Sequence, residues 1–296
     1  MRRVILASLI ALAAAFPPVP LRAQAPSAAA KYDPSWTEPL EPFRLAGPIH
    51  YVGTRDLAAY LITTTEGHIL IDGAVAEAAP AIEASIRKLG FKPEEIKFLL
   101  ITQAHFDHVG SLAHMKKISG ASVQVMRGDD VIVADGGKSD YLFGKDPKYH
   151  FTPVPVDRVL SDGDTVKLGG LTLTARHTPG HTPGATSWVM RIPERGRSYR
   201  VVFAASVTVN PGTRLVNRPS YPGIADDYRR SFKLLASLEP DIVLWAHASF
   251  FDVESRRRRM YSEGAKAWVD PEGFKQLVAA RAQAFEELVA KEQPAK

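Results

Sequence analysis

Four residues able to bind a metal ion fall within six positions, Gln103-Ala104-His105-Phe106-Asp107-His108. Imidazole nitrogens with a carboxylate suit zinc, and a catalytic zinc keeps a position open for water. The chain contains no Cys, so a thiolate-closed structural site is excluded. One His beside one Asp would be read as a polar turn capping a helix. This density of ligand types removes that reading. Two distant histidines are placed to complete the site: His181 in Arg176-His177-Thr178-Pro179-Gly180-His181-Thr182-Pro183-Gly184, and His247 in Ile242-Val243-Leu244-Trp245-Ala246-His247. Each follows an apolar run, at a loop.

The elements that must hold these residues follow from periodicity. The run Ile96-Lys97-Phe98-Leu99-Leu100-Ile101-Thr102 reads as a buried strand, and residues 111–118 have helical spacing with cations at their end. The ligands therefore sit on a strand-to-helix loop. Upstream, residues 49–53, 59–64 and 68–73 read as strands with a hairpin turn at Glu66-Gly67, and residues 78–89 as a helix stopped by Gly90. Downstream, residues 122–126 read as a strand, while residues 128–155 are long, irregular and either a functional rim or a solvated loop. Residues 159–168 and 171–176 read as strands about the turns Asp162-Gly163-Asp164 and Gly169-Gly170, delivering His181. Strands at 187–192 and 199–204, a helix at 226–238, a strand at 241–246 carrying His247 and a closing helix at 274–288 complete the second half. Two such strand-and-helix halves predict an α/β fold with a sheet-on-sheet core and helices outside.

With 296 residues, 45% apolar and 23% charged, the composition is that of one ordinary globular domain. Its net charge of +5 would suit an acidic partner, but the basic residues are dispersed without aromatic interleaving, so nucleic acid is not expected. Met1-Arg2-Arg3, an uncharged stretch over residues 4–16 and small-residue patterns near Ala23 and Ala25 predict a secretory signal at residues 1–23. The apolar stretch is shorter than the ~20 residues of a membrane span, so cleavage and export are expected, to the periplasm if the host is Gram-negative. A flexible leader that begins to pack near Trp36 is expected over residues 24–42, and a single domain over residues 43–296.

The chain resembles the metallo-β-lactamase superfamily, whose signature is His-x-His-x-Asp-His on the loop after a strand. Here Gln103 stands in the place of the first His, and the match continues through Gly180-His181, Ser206 and His247. The closest likeness is to the third subclass of class B β-lactamases, in its glutamine-bearing branch. That resemblance implies a four-layer αββα sandwich. It also implies one zinc at Gln103, His105 and His181 and another at Asp107, His108 and His247. A zinc-bound hydroxide would then open the amide bond of a small β-lactam. Asp72 would buttress the metal loop, unless it only forms an Asx turn.

A neutral amide oxygen is a weaker zinc ligand than imidazole. The site at Asp107, His108 and His247 is therefore expected to hold zinc more tightly, with one or two zinc ions per chain and Asp107 as ligand and catalytic orienter. Related thioesterases, lactonases and phosphodiesterases carry a metal-bridging Asp after the strand that follows the Gly-His loop. The corresponding stretch here, Phe203-Ala204-Ala205-Ser206-Val207-Thr208-Val209-Asn210, has no carboxylate. The resemblance instead assigns the Ser206 and Thr208 hydroxyls to a substrate carboxylate, against an ordinary role as strand polar residues. Two other readings remain: a hydrolase of another ester, lactone or thioester, and a non-enzymatic zinc-binding periplasmic protein. The run Arg256-Arg257-Arg258-Arg259 is expected to be a solvated helical face, with a substrate contact as its alternative. His50, His68, His114, His150 and His177 lack motif support and are expected at the surface or behind the ligands.

Overall fold

Short apolar strands separated by turn residues begin the first sheet as a meander. In the computed structural model, which describes residues 32–293, β1 (Phe43–Ala46), β2 (Ile49–Tyr51), β3 (Tyr60–Thr64) and β4 (Gly67–Ile71) pair antiparallel in chain order. Helix α1 (Ala79–Lys88) buries Ala79, Ile82 and Ile86 at helical spacing and lets β5 (Ile96–Leu100) join β4 in parallel. After α2 (Phe106–Val109) and α3 (Leu112–Ser119), β6 (Ser122–Met126) adds in parallel. After α4 (Asp130–Asp135), β7 (Arg158–Leu160) closes this seven-stranded sheet. Strand β4 is buried along its whole length, as a central strand covered on both faces must be.

The second sheet contains β8 (Thr165–Leu168), β9 (Leu171–His177), β10 (Thr186–Glu194), β11 (Arg197–Ala204) and, after α5 (Ile224–Ala236), β12 (Ile242–Trp245) parallel to β11. Helices α6 (Val253–Glu263) and α7 (Pro271–Glu292) follow. Residues 159–168, expected as two strands about one turn, are instead divided between the sheets. The Asp162-Gly163-Asp164 turn carries the chain from the edge of one sheet to the edge of the other. Each edge position leaves the turn free to bend, which pattern alone does not reveal. The inner faces meet through buried rings: Tyr60 of β3 lies edge-on to Phe203 of β11 at 5.2 Å and donates its hydroxyl to the Trp245 carbonyl. Two sheets face to face with helices outside make the αββα sandwich.

The packed chain starts earlier than Phe43. Asp33 caps a turn of 3-10 helix at Pro34–Trp36, Pro39 bridges to Thr54, and the Trp36 ring lies 6.1 Å from both Phe106 and His247. The leader expected at 24–42 is thus part of the packed chain from Asp33 on. The apolar Trp36 has aromatic partners there, a gain that outweighs the neighbouring prolines. The signal expected at residues 1–23 lies outside the described residues. Among those described, no helix is long and apolar enough to cross a membrane.

The arginine run is not simply a solvated face. Arg256 pairs with Asp270 at 2.5 Å, Arg259 donates to the Ala267 carbonyl, and Arg257 stacks over Phe43 at 4.8 Å. These contacts fasten α6 to the turn before α7 and to β1. Arg258 and Arg259 stay exposed, with Arg258 3.9 Å from Glu254.

Candidate metal centre

All the expected ligands stand at one edge of the sandwich, because strand ends deliver them there. The 103–108 loop leaves β5, and Thr102 at its start donates both its amide and its hydroxyl to Asp72 at 2.7 Å. Asp72, at the end of β4, therefore buttresses the metal loop. Burial pushes its carboxyl up to about 6. The loop bearing His181 follows β9. Gly180 there has φ +132, and a Cβ would fall 2.7 Å from the Tyr228 ring, so any other residue would push His181 out of place. His247 follows β12 and pairs with Leu57 of the first half, and the Ala58 amide donates to the Ala246 carbonyl at 3.0 Å.

Asp107, His108 and His247 each offer a ligand atom within 4.8 Å of the others. Asp107 Oδ2 lies 3.3 Å from His108 Nε2 and 3.6 Å from His247 Nε2. Burial raises the Asp107 carboxyl, but His108 and His247 outweigh it and hold it well below the usual carboxylate range. His247 Nδ1–H donates to Asp56 Oδ2 at 2.9 Å, leaving Nε2 to face inward. Burial lowers His247, yet Asp107 and Asp56 together lift it to about 9. Both His108 ring nitrogens are buried with no hydrogen-bond partner. A buried imidazole left without a partner is costly in a protein alone and fits a cation ligand. The three residues suit zinc.

The other half-site is built differently. His181 Nδ1–H donates to the Thr208 carbonyl at 2.7 Å, which turns Nε2 inward. Burial, helped by His105, depresses His181 to about 3, so the ring is neutral. The two rings lie 4.7 Å apart. Burial lowers His105, but Asp140, Asp107 and Asp129 outweigh it and raise it. Gln103 is 1% exposed, and its amide oxygen accepts the Ser206 amide N–H at 2.8 Å. One lone pair of the oxygen through which Gln103 could bind zinc is thus already engaged.

Residues 53–247 match the sequence profile of the metallo-beta-lactamase superfamily. The chain belongs to that superfamily. It is similar to the native FEZ-1 metallo-beta-lactamase from Legionella gormanii, with 42% identity and a TM-score of 0.85 over 88% of this chain and 99% of the other. It is also similar to LRA-12, a class B3 di-zinc metallo-beta-lactamase from an Alaskan soil metagenome, with 39% identity and a TM-score of 0.82 over 86% and 96% of the two chains. A hydroxyacylglutathione hydrolase of Rhodopseudomonas palustris is 30% identical over 54% of this chain and 54% of its own. The chain spans about half the length of the curated relatives it matches.

In this metallo-β-lactamase-superfamily fold a cavity of about 400 Å³ opens on the site. His105, Asp107, His181 and His247 line it together with Ser206 and Thr208, and Trp36, Phe106, Phe143, Tyr149 and Phe250 form its apolar wall. The stretch from 128 to 155 supplies Phe143 and Tyr149, so it is a rim of the site. None of Arg256, Arg257, Arg258 and Arg259 lines the cavity.

Three carboxylates that sequence reading did not single out hold the ligands. Asp56 fixes His247 and accepts the Ser249 amide at 3.0 Å. Asp129, fully buried, accepts from the Ala104 amide, the Thr182 hydroxyl and the Gly184 amide at 2.9, 2.7 and 2.7 Å, tying the two ligand loops together. Burial pushes its carboxyl up to about 6. Asp140 Oδ2 faces His105 Nε2 at 3.3 Å. A lone Asp in a turn carries no sequence signal of such a role.

The remaining histidines stand behind the ligands or away from them. His177 donates to the Pro183 carbonyl at 2.8 Å and closes the His181 loop, and His150 donates to the Gly144 carbonyl at 2.9 Å within the rim. His114 pairs with Glu83 at 2.8 Å. His50 and His68 are buried against Phe91, not at the surface.

Proposed function

We propose that the chain is a zinc-dependent β-lactamase of the third class B subclass, opening the amide bond of penicillins, cephalosporins or carbapenems. The observation that carries this reading is Ser206: it lines the cavity, residues 203–210 around it hold no carboxylate that could bridge two metal ions, and its backbone amide donates to Gln103. The likeness to FEZ-1, a metallo-beta-lactamase, runs over nearly the whole chain, whereas that to the hydroxyacylglutathione hydrolase covers about half of it. Export by the signal expected at residues 1–23 belongs to the same reading.

Asp107, His108 and His247 would hold the tighter zinc, with His105, His181 and Gln103 as the weaker set. Zinc there would supply an activated water near neutral pH, its pKa lowered to about 7, and a positive charge to stabilise the amide as it opens. Asp107, kept ionised by its two histidines, lines the cavity and would act as both ligand and orienter of the attacking water. The Ser206 and Thr208 hydroxyls hold the substrate carboxylate, while the apolar wall packs against the rest of the substrate.

Assaying nitrocefin, a carbapenem, an acyl-homoserine lactone and a hydroxyacylglutathione thioester side by side tests the reading. Turnover of the first two at kcat/KM at least about 10⁴ M⁻¹s⁻¹, the lower end of ordinary enzyme efficiency, is expected. Thioester or lactone turnover without β-lactam turnover would make the chain a different hydrolase on the same fold.

A further inference from the structure

Asp140 does two separate things with its two oxygens. Oδ1 accepts the Leu142 and Phe143 amides, both at 2.7 Å, and closes the turn that aims Phe143 into the cavity. Oδ2 is turned the other way, 3.3 Å from His105 Nε2, and both of those atoms are buried with no other partner. The pair is out of line for a strong hydrogen bond, yet no other donor or acceptor reaches either atom. Phe143 then packs edge-on to the His105 ring at 5.0 Å, and the Tyr141 hydroxyl donates to the His181 carbonyl at 3.0 Å. One short stretch of the rim therefore touches both histidines of the weaker half-site and forms part of the substrate wall.

An imidazole has two nitrogens, and whichever carries the proton cannot bind a metal. A carboxylate accepts only, so Oδ2 keeps the proton on Nε2 and leaves Nδ1 without one, on a ring that lines the cavity. We propose that Asp140 is a positioning residue that fixes the His105 tautomer, making Nδ1 the metal-binding atom, and that the rim thereby sets the metal affinity of the weaker half-site. The inference rests on reading His105 as a ligand and is independent of which substrate is cleaved.

Asp140→Asn separates this role from the turn. Asn keeps the Oδ1 acceptor for Leu142 and Phe143 but turns an NH2 donor toward His105, which favours the proton on Nδ1. Asp140→Ala removes both functions. The first measurement is the His105 tautomer by ¹⁵N NMR in metal-free protein, at a pH high enough that the ¹⁵N shifts show a neutral ring, and the second is cobalt titration past one equivalent. Wild type should show the proton on Nε2 and the Asn variant the proton on Nδ1. The second cobalt should bind about 10–100-fold more weakly in both variants, the usual loss when a ligand's hydrogen-bond partner is removed. The first, at Asp107, His108 and His247, should be unchanged. A wild-type proton on Nδ1, or an Asn variant matching wild type in tautomer and second-cobalt affinity, overturns the proposal. Equal weakening of both cobalt ions in the Asn variant also overturns it, because that marks a general structural role. If wild type takes up only one cobalt, the tautomer measurement decides alone. A chain that fails on every β-lactam leaves these readouts as they are, so the two readings fail separately.

Discussion

The two half-sites share an edge, a cavity wall and a pair of imidazoles, and differ by one carboxylate. Asp107 gives one of them a full negative charge. The other has neutral His181, His105 and an amide whose oxygen is tied to Ser206. Two unit charges 4 Å apart interact by about 4 kcal/mol at an effective dielectric near 20, roughly a thousandfold in a binding constant. That magnitude exceeds what any hydrogen bond around either site contributes, so zinc is expected first at the half-site that holds Asp107. The comparison also shows how ligands are held. His247 leans on Asp56 from the first half of the chain, whereas His181 leans on a backbone carbonyl two residues past Ser206.

The largest expected effect breaks the stronger half-site. Asp107→Ala and His247→Ala should each lower kcat/KM by about 10²-fold or more, since charge and water positioning are lost together. Elemental analysis should find bound zinc near zero. His181→Ala should cost less. A His181 variant as inactive as the His247 variant would mean that both half-sites act together, and the comparison would collapse.

Proton release probes the same half-site without mutation. In the metal-free protein His247 is raised to about 9, so below that pH a proton must leave before the ring can bind zinc. Apparent zinc affinity should therefore rise about tenfold per pH unit from pH 7 toward pH 9. The sign for stability is the reverse. A His raised above its unfolded value of about 6.5 stabilises fully below that pH and loses the contribution as pH rises through about 9. Chelator-treated protein should thus lose melting temperature across that window, while the zinc form should not. A flat zinc affinity between pH 7 and 9 would remove His247 from the ligand set.

Gln103→His restores a third imidazole to the weaker half-site. Zinc content of protein purified without added metal should rise from about one toward two per chain. Two tightly held zinc ions in the wild type would show that the Gln103 oxygen serves zinc despite the Ser206 amide, as the likeness to the di-zinc LRA-12 enzyme makes worth testing.

How much of this could be read in advance depends on where each signal sits. The ligand loop was legible because Gln103, His105, Asp107 and His108 are contiguous and follow an apolar strand. His181 and His247 were legible because each ends a run, and the αββα class came through the resemblance and the repeat of strands and helices. Asp56, Asp129 and Asp140 were not legible. Asp56 contacts His247 across 191 positions and Thr182 reaches Asp129 across 53, and locally each is one more Asp in a turn. The sheet change at residues 161–164 was hidden for the same reason: pairing partners far along the chain decide it. Trp36 was missed as a site residue because prolines and alanines around it suggested a leader.

The smallest expected effect concerns Ser206, whose two ends have separate roles. Its amide holds Gln103, and the residue lines the cavity. Ser206→Ala keeps the amide and removes only the hydroxyl, so Gln103 stays in place and zinc content should not change. A hydrogen bond contributes about 0.5–1.5 kcal/mol net where water can take its place, and an open cavity admits water. The loss should therefore be about two- to tenfold, and it should fall on KM while kcat stays within about twofold, since the carboxylate is held equally before and during reaction. Steady-state kinetics on a penicillin and a carbapenem, with zinc analysis of the same samples, reads both quantities. An unchanged KM on both substrates would move the carboxylate contact to Thr208. A fall in zinc content would instead mean that the hydroxyl, and not only the amide, supports the Gln103 half-site.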